Sequence, residues 1–335
     1  MSSISPATVD AAVRAVRRAA IATRWAQGRL VSGNTLTKSD DSPVTVADFA
    51  AQAIVCNTLA EELGDVAVVG EETPDDLVDR PDLLDGVASL VAMGVGTSNV
   101  TATDVIEAVG RGASDAPRDG TYWTLDPIDG TKGFVRGDQY AIALALIEGG
   151  RVVFGVLGCP NLPNPDGTRG ALLVGSGEGA VMYPLDDAAG GDGVSASEGR
   201  PIRVDAAAVL SEARFCESVE SGHSDQTHSV AIAQRLGITA EPYRIDSQCK
   251  YAAVARGDAS IYLRLPTRAD YVEKIWDHAA GKFVVECAGG VVTDVAGAPL
   301  DFSHGKLLQA NRGVVATNGR FHEQVLDAVG AVLDL

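Results

Sequence analysis

The feature that most constrains the fold is a pair of apolar, β-rich runs, 139–147 and 151–157, joined through Gly149-Gly150. Such a pair predicts an antiparallel hairpin. Residues 172–174 and 180–183 repeat the pattern across a second glycine-rich turn, so the first half of the chain is expected to contain an antiparallel sheet. Helices accompany it. Ser5-Pro6 reads as a cap followed by proline in the first turn, and Val9, Val13, Val16 and Ala20 recur on one helical face. A second helix is predicted from near Thr45, where Thr45 and Asp48 have capping-box spacing, to a stop at Gly64. Residues 66–69 form a short buried strand. Residues 122–125 form another, expected to end at Asp126-Pro127 because proline cannot donate to a continuing ladder.

Residues 186–200 concentrate Gly, Ser and Asp without apolar periodicity, which marks a loop or boundary. The division placed there gives an N-terminal α+β domain over 1–185 and a C-terminal α/β domain over 186–335. In the second, strands at 214–219, 242–246, 260–264, 291–294 and 313–317 alternate with helices at 225–236, 247–256, 277–288 and 320–333. This order predicts a layered α/β structure with an α+β N-terminal half.

Composition removes several function classes. Lys+Arg 27 against Asp+Glu 45 leave a net charge of −18, a surface that repels nucleic-acid phosphates. No apolar run approaches the ~18 residues of a membrane helix. The five cysteines form no CxxC pair, which argues against a disulfide framework or zinc site and suits a reducing compartment such as the cytoplasm. Five arginines in the first 30 residues fit an amphipathic helix better than an organelle transit peptide. The glycines of 175–179 depart from GxGxxG spacing and join two strands, so this segment is read as a turn rather than a dinucleotide loop.

Three acidic patches carry the chemistry: Gly70-Glu71-Glu72-Thr73, Asp126-Pro127-Ile128-Asp129-Gly130-Thr131 and Trp276-Asp277-His278. Each falls where a strand should end, and strand ends are where sites are built. Were Glu71, Asp126, Asp129 and Asp277 to converge, their negative charge would require cations; hard oxygen ligands suit Mg²⁺. A tight turn at Pro127-Ile128 aims Asp126, Asp129 and the Ile128 carbonyl at one point. Gly130 and Thr131 then offer backbone N–H groups to a phosphate at a short helix start. A phosphate beside two metals is a phosphoryl-transfer site.

These residues resemble a known family. GEET at 70–73, DPIDGT at 126–131 and WDHAAG at 276–281 match, in order and spacing, the metal-binding motifs of the lithium-sensitive, Mg²⁺-dependent phosphatases related to inositol monophosphatase. Within it, WTLDPIDGTKGF (123–134), VLGCPNLP (156–163), DSQCKY (246–251), YLRLP (262–266) and EKIWDHAAG (273–281) are similar to the 3′(2′),5′-bisphosphate nucleotidases. The resemblance implies an αβαβα sugar-phosphatase fold with the site between its halves. It implies two to three Mg²⁺ held by Glu71, Asp126, the Ile128 carbonyl, Asp129 and Asp277, with Glu72 assisting a further ion. It also implies that Asp48 and Thr131 position and deprotonate an attacking water.

Ser247 at a helix start and Lys250 one turn later on the same face are the candidates for a 5′-phosphate. By resemblance, Arg264 is a further phosphate partner, His223 lies beside adenosine, and Gly130, Thr131 and Asp277 also touch substrate. His278 is expected to support Asp277 or pack. The implied reaction is hydrolysis of 3′-phosphoadenosine 5′-phosphate to AMP and phosphate, and of its sulfated analogue, in a monomer serving sulfur metabolism. The alternatives are an inositol (poly)phosphate 1-phosphatase and a catalytically inactive nucleotide sensor.

Overall fold

The structure is a computed structural model that describes residues 4–29, 35–37, 43–78, 80–186, 199–219, 226–266, 268 and 270–335. Its first half runs α1 (Pro6–Gly28), β1 (Thr35–Thr37), β2 (Pro43–Thr45), α2 (Val46–Leu63), β3 (Val68–Gly70), α3 (Asp75–Val78), α4 (Pro81–Val95), α5 (Ala102–Gly110), β4 (Thr121–Asp129), α6 (Thr131–Arg136), β5 (Ala141–Glu148), β6 (Arg151–Pro163), β7 (Arg169–Ser176) and β8 (Gly179–Pro184). The second half runs β9 (Arg200–Pro201), β10 (Phe215–Glu217), α7 (Gln226–Leu236), β11 (Tyr243–Arg244), α8 (Cys249–Arg256), β12 (Ile261–Arg264), α9 (Ala279–Cys287), β13 (Val291–Thr293), β14 (Val314–Thr317) and α10 (His322–Leu333). Ser5 caps α1, its hydroxyl accepting from the Thr8 N–H at 3.1 Å. Gly64, at φ +81°, stops α2.

Strands β3 to β9 form a seven-stranded sheet in sequence order, antiparallel except for the parallel pair β3 and β4. A five-stranded sheet has the order β11-β10-β12-β14-β13. Alternating side chains show how the sheets stack. On β5, Ile142, Leu144 and Leu146 join a core with α1, α2, α4 and α5, whereas Ala143, Ala145 and Ile147 join a core with α8 and α9. The strand therefore reads as an unbroken apolar run because both faces are covered. On β12, Tyr262 faces the α8–α9 layer, while Ile261 and Leu263 face α7 and α10. The result is the expected αβαβα order, with α8 and α9 between the two sheets.

One strand differs from its expectation. β4 does not end at Asp126-Pro127; it pairs with β5 through Asp126↔Ala143, shifts register, and resumes at Asp129↔Ala141. The bulge removes Pro127 from the ladder, so its missing N–H costs no pairing. The expected division at 185/186 adjoins residues 187–198, which lie outside the described residues; beyond them, β9 still pairs with β8. No described helix is long and apolar enough to cross a membrane.

Candidate active site

Parallel pairing of β3 with β4 brings the first two acidic patches together. With Gly70 opposite Leu125, both strands deliver their following residues to the same sheet end, and the Glu71 N–H donates to the Leu125 carbonyl at 3.2 Å. Asp48 enters from the first turn of α2, and Asp277 from the turn preceding α9. Asp126 and Asp48 are buried. Burial pushes the Asp126 carboxyl well above the usual carboxylate range, and the nearby charges of Glu71, Asp129, Asp277 and Asp48 raise it further. Asp277 is raised well above its ordinary value by burial and by Asp129 and Glu71, against the pull of Arg264. For Asp129, burial also wins, opposed by Lys250, a hydrogen bond from the Gln248 N–H and Arg264. Five of the six acids the sequence singled out for metal and water, Glu71, Asp126, Asp129, Asp277 and Asp48, thus sense one another.

Two glutamines, neither given a role from sequence, tie the acidic segments together. Gln52, four residues after Asp48 on α2, is fully buried. Its amide donates to the Glu72 carbonyl at 2.7 Å and the Val109 carbonyl at 3.1 Å, and accepts from the Glu72 N–H at 3.0 Å. A Cβ at Gly70 would lie 2.3 Å from Gln52 Oε1, which explains the glycine opening GEET. Gln248 is also buried: its backbone N–H donates to Asp129, and its side chain bonds the segment bearing Asp277. The signal for Gln52 was present as the one polar residue in the buried run FAAQAIV.

The residues expected on the substrate side fall around these acids. Gly130, at φ +90°, caps α6, and a Cβ there would meet the Ser247 Cβ at 2.8 Å, so DPIDGT needs glycine for both conformation and approach. Thr131 donates its hydroxyl to the Ile128 carbonyl at 3.3 Å. Ser247 does not open α8 as expected. It precedes the Gln248 cap at φ +65°, and its hydroxyl accepts from the Cys249 N–H at 3.1 Å; such backbone strain concentrates at functional sites. Lys250 is buried, with Nζ 5.3 Å from the Tyr262 ring centroid, and burial lowers its pKa despite the opposing charge of Asp129. Arg264, on β12, donates to Glu273 Oε1 at 3.2 Å. His223 lies outside the described residues.

His278 is engaged by two buried neighbours. Its ring bonds the Tyr251 hydroxyl at 2.8 Å and Glu273 at 3.1 Å. Glu273, held by His278 and Arg264, is lowered to about 2 even against burial. Although Glu273, Asp277 and His278 offer ligand atoms within 4.8 Å of one another, Glu273 and His278 are already engaged with each other. Arg136 of α6 pairs with Asp246, which also accepts from the Val219 N–H at 3.0 Å, joining the DPIDGT segment to the second half.

The profile of the inositol monophosphatase family matches residues 5–333. The chain belongs to the inositol monophosphatase family. It is 41% identical to the 3′(2′),5′-bisphosphate nucleotidase of Schizosaccharomyces pombe, covering 96% of this chain and 94% of that one. The protein of the same name from Emericella nidulans is also 41% identical, over 96% of this chain and 97% of its own length. Among solved structures, the Thermotoga maritima IMPase superposes with a TM-score of 0.62 at 21% identity, covering 96% of each chain, which shows the shared fold. The donor set of this family member suits a hard cation: carboxylates, a main-chain carbonyl at Ile128, and a buried Asp126 Oδ1 with no hydrogen-bond partner among the described residues.

Proposed function

We propose that the protein is a Mg²⁺-dependent 3′(2′),5′-bisphosphate nucleotidase that hydrolyses 3′-phosphoadenosine 5′-phosphate to AMP and phosphate, and acts likewise on the sulfated analogue. The observation that carries this is the convergence of Glu71, Asp129, Asp277 and Asp48 on buried Asp126, an arrangement that calls for cations, in a chain 41% identical to enzymes of that name.

Glu71, Asp126, the Ile128 carbonyl, Asp129 and Asp277 would hold two Mg²⁺, with Glu72 assisting a third. When bound, the ions neutralise phosphoryl charge and acidify water. The chain's own groups do the rest. Asp48 accepts the proton of the attacking water, and Thr131 orients that water through its hydroxyl. The N–H groups of Gly130 and Thr131 hold the 3′-phosphate in line. The water oxygen bonds to phosphorus as the bond from phosphorus to the ribose 3′-oxygen breaks; that oxygen takes a proton from solvent water to become a hydroxyl, Asp48 returns its proton to solvent, and phosphate is free. Ser247, Lys250 and Arg264 serve the 5′-phosphate side, and His223 the adenosine. The substrate is a small anion handled by a monomer in a reducing compartment, the cytoplasm.

The test is phosphate release from 3′-phosphoadenosine 5′-phosphate and from inositol 1-phosphate, with Mg²⁺ alone and with added Li⁺. Rapid, lithium-suppressed release from the nucleotide is expected. Preference for the inositol ester would overturn the substrate assignment, and no turnover of either would overturn the enzyme.

A further inference from the structure

Gln248 lies where the two halves meet, and its bonds differ from those of any other residue in DSQCKY. Its backbone N–H donates to Asp129 Oδ2. Its side-chain nitrogen donates to the Trp276 carbonyl at 2.8 Å, and its side-chain oxygen accepts from the Gly281 N–H at 3.0 Å. The residue is 2% exposed, so these bonds face no competition from solvent. Trp276 precedes Asp277 directly, and Gly281 lies one turn beyond it, so the amide spans the turn that presents Asp277. A single residue thus grips Asp129 from the first half and brackets Asp277 in the second.

We propose that Gln248 is a positioning residue that fixes the separation of Asp129 and Asp277 before any cation arrives, an inference that rests on reading those acids as cation ligands. A primary amide of this length supplies, without titrating, a donor and an acceptor in one planar group. Asp129 and Asp277, both half-buried, repel one another. Without the bridge, the turn at 276–281 relaxes away from Asp129, and a cation must draw the two carboxylates back together when it binds. Partners that orient ligands in this way are worth about 10- to 100-fold in metal affinity.

The experiment titrates the full chain with Mn²⁺, a hard divalent probe, and counts free ion by electron paramagnetic resonance. Wild type is compared with Gln248→Met, which keeps volume without the amide, and with Asp129→Asn. Gln248→Met is expected to bind Mn²⁺ about tenfold more weakly, with faster amide hydrogen exchange confined to the peptide containing 276–281. A folded Gln248→Met that binds Mn²⁺ as wild type does, with unchanged exchange at 276–281, would overturn the proposal. Should the Met variant fail to fold, Gln248→Asn decides: its shorter amide reaches one of the two partners, so an intermediate loss is expected and wild-type affinity refutes. If Asp129→Asn itself leaves Mn²⁺ binding unchanged, the ligand reading fails, and the role of Gln248 falls with it.

Discussion

Replacing Gln52 with leucine should cost both stability and cation affinity, for reasons that can be followed atom by atom. The substitution nearly preserves volume but removes three bonds: those to the Glu72 carbonyl at 2.7 Å, from the Glu72 N–H at 3.0 Å and to the Val109 carbonyl at 3.1 Å. Each is worth about 0.5–1.5 kcal/mol net, and stranding the buried partners moves the loss to the upper end. Leucine returns roughly 1 kcal/mol by burying apolar surface. The balance is about 2–4 kcal/mol, or some 4–8 °C in Tm at roughly 2 °C per kcal/mol for a chain of this size. Because the same bonds hold the Glu71–Glu72 segment beside α2, the Mg²⁺ concentration for half-maximal phosphate release should rise about tenfold. Thermal melts in chelator, paired with phosphate release over a Mg²⁺ series, measure both. A companion variant fixes the sign. Gln52→Glu keeps the acceptor for the Glu72 N–H but faces two carbonyls with a buried carboxyl, whose folded pKa must therefore be raised; its stability should fall as pH rises from 5 to 8. A Gln52→Leu protein melting within about 1 °C of wild type, with an unchanged Mg²⁺ requirement, would refute the reasoning.

Two further outcomes follow from the acidic site. Asp126→Asn should abolish phosphate release yet raise the melting temperature of chelated protein, because it removes the carboxyl that burial and four acidic neighbours destabilise. Since a raised folded pKa means that the native state binds more protons, chelated wild type should lose stability as pH rises above about 4, and Asp126→Asn should lose less; parallel melting curves would contradict this. Gly130→Ala places a Cβ 2.8 Å from the Ser247 Cβ on backbone at φ +90°, so phosphate release should fall by at least about tenfold, with a loss of roughly 1–2 kcal/mol in stability; wild-type turnover and melting would exclude that contact as a constraint.

Much of this molecule could be read before its structure, because its pattern is local. Proline and glycine punctuate α1 and α2 at their ends, and the glycine turns at 149–150 and 177–178 fall between the strands they join. The acids were legible for a different reason: carboxylates gathered at successive strand ends need an outside partner. What escaped the sequence depends on long-range meetings. Nothing in Asp126-Pro127 announces that a register shift lets β4 continue, since the shift is set by how β5 pairs. Ser247 reads as a helix opener until the backbone of Gly130 is found against it. Gln52 and Gln248 bond peptide groups 20 and 28 residues away in sequence, a role that a glutamine's identity leaves open.

The layer formed by α8 and α9 has a consequence for how this protein can change over generations. Every residue from Cys249 to Ala255 is buried, as are Ala279, Ala280, Gly281, Phe283, Val284 and Val285. Added bulk at Ala253 or Ala280 has no surface to escape to, and a Cβ at Gly281 would already overlap Tyr251, 2.2 Å from its Cδ2. A larger side chain must wedge the sheets apart, and because α8 and α9 are capped by Gln248 and His278, the wedge opens the acidic cluster too. Variation is thereby steered outward: α1, α7 and α10 can drift at their exposed faces, while the small residues of the middle helices, Ala252, Ala253, Ala279, Ala280 and Gly281, admit little added bulk without loss of turnover along with fold.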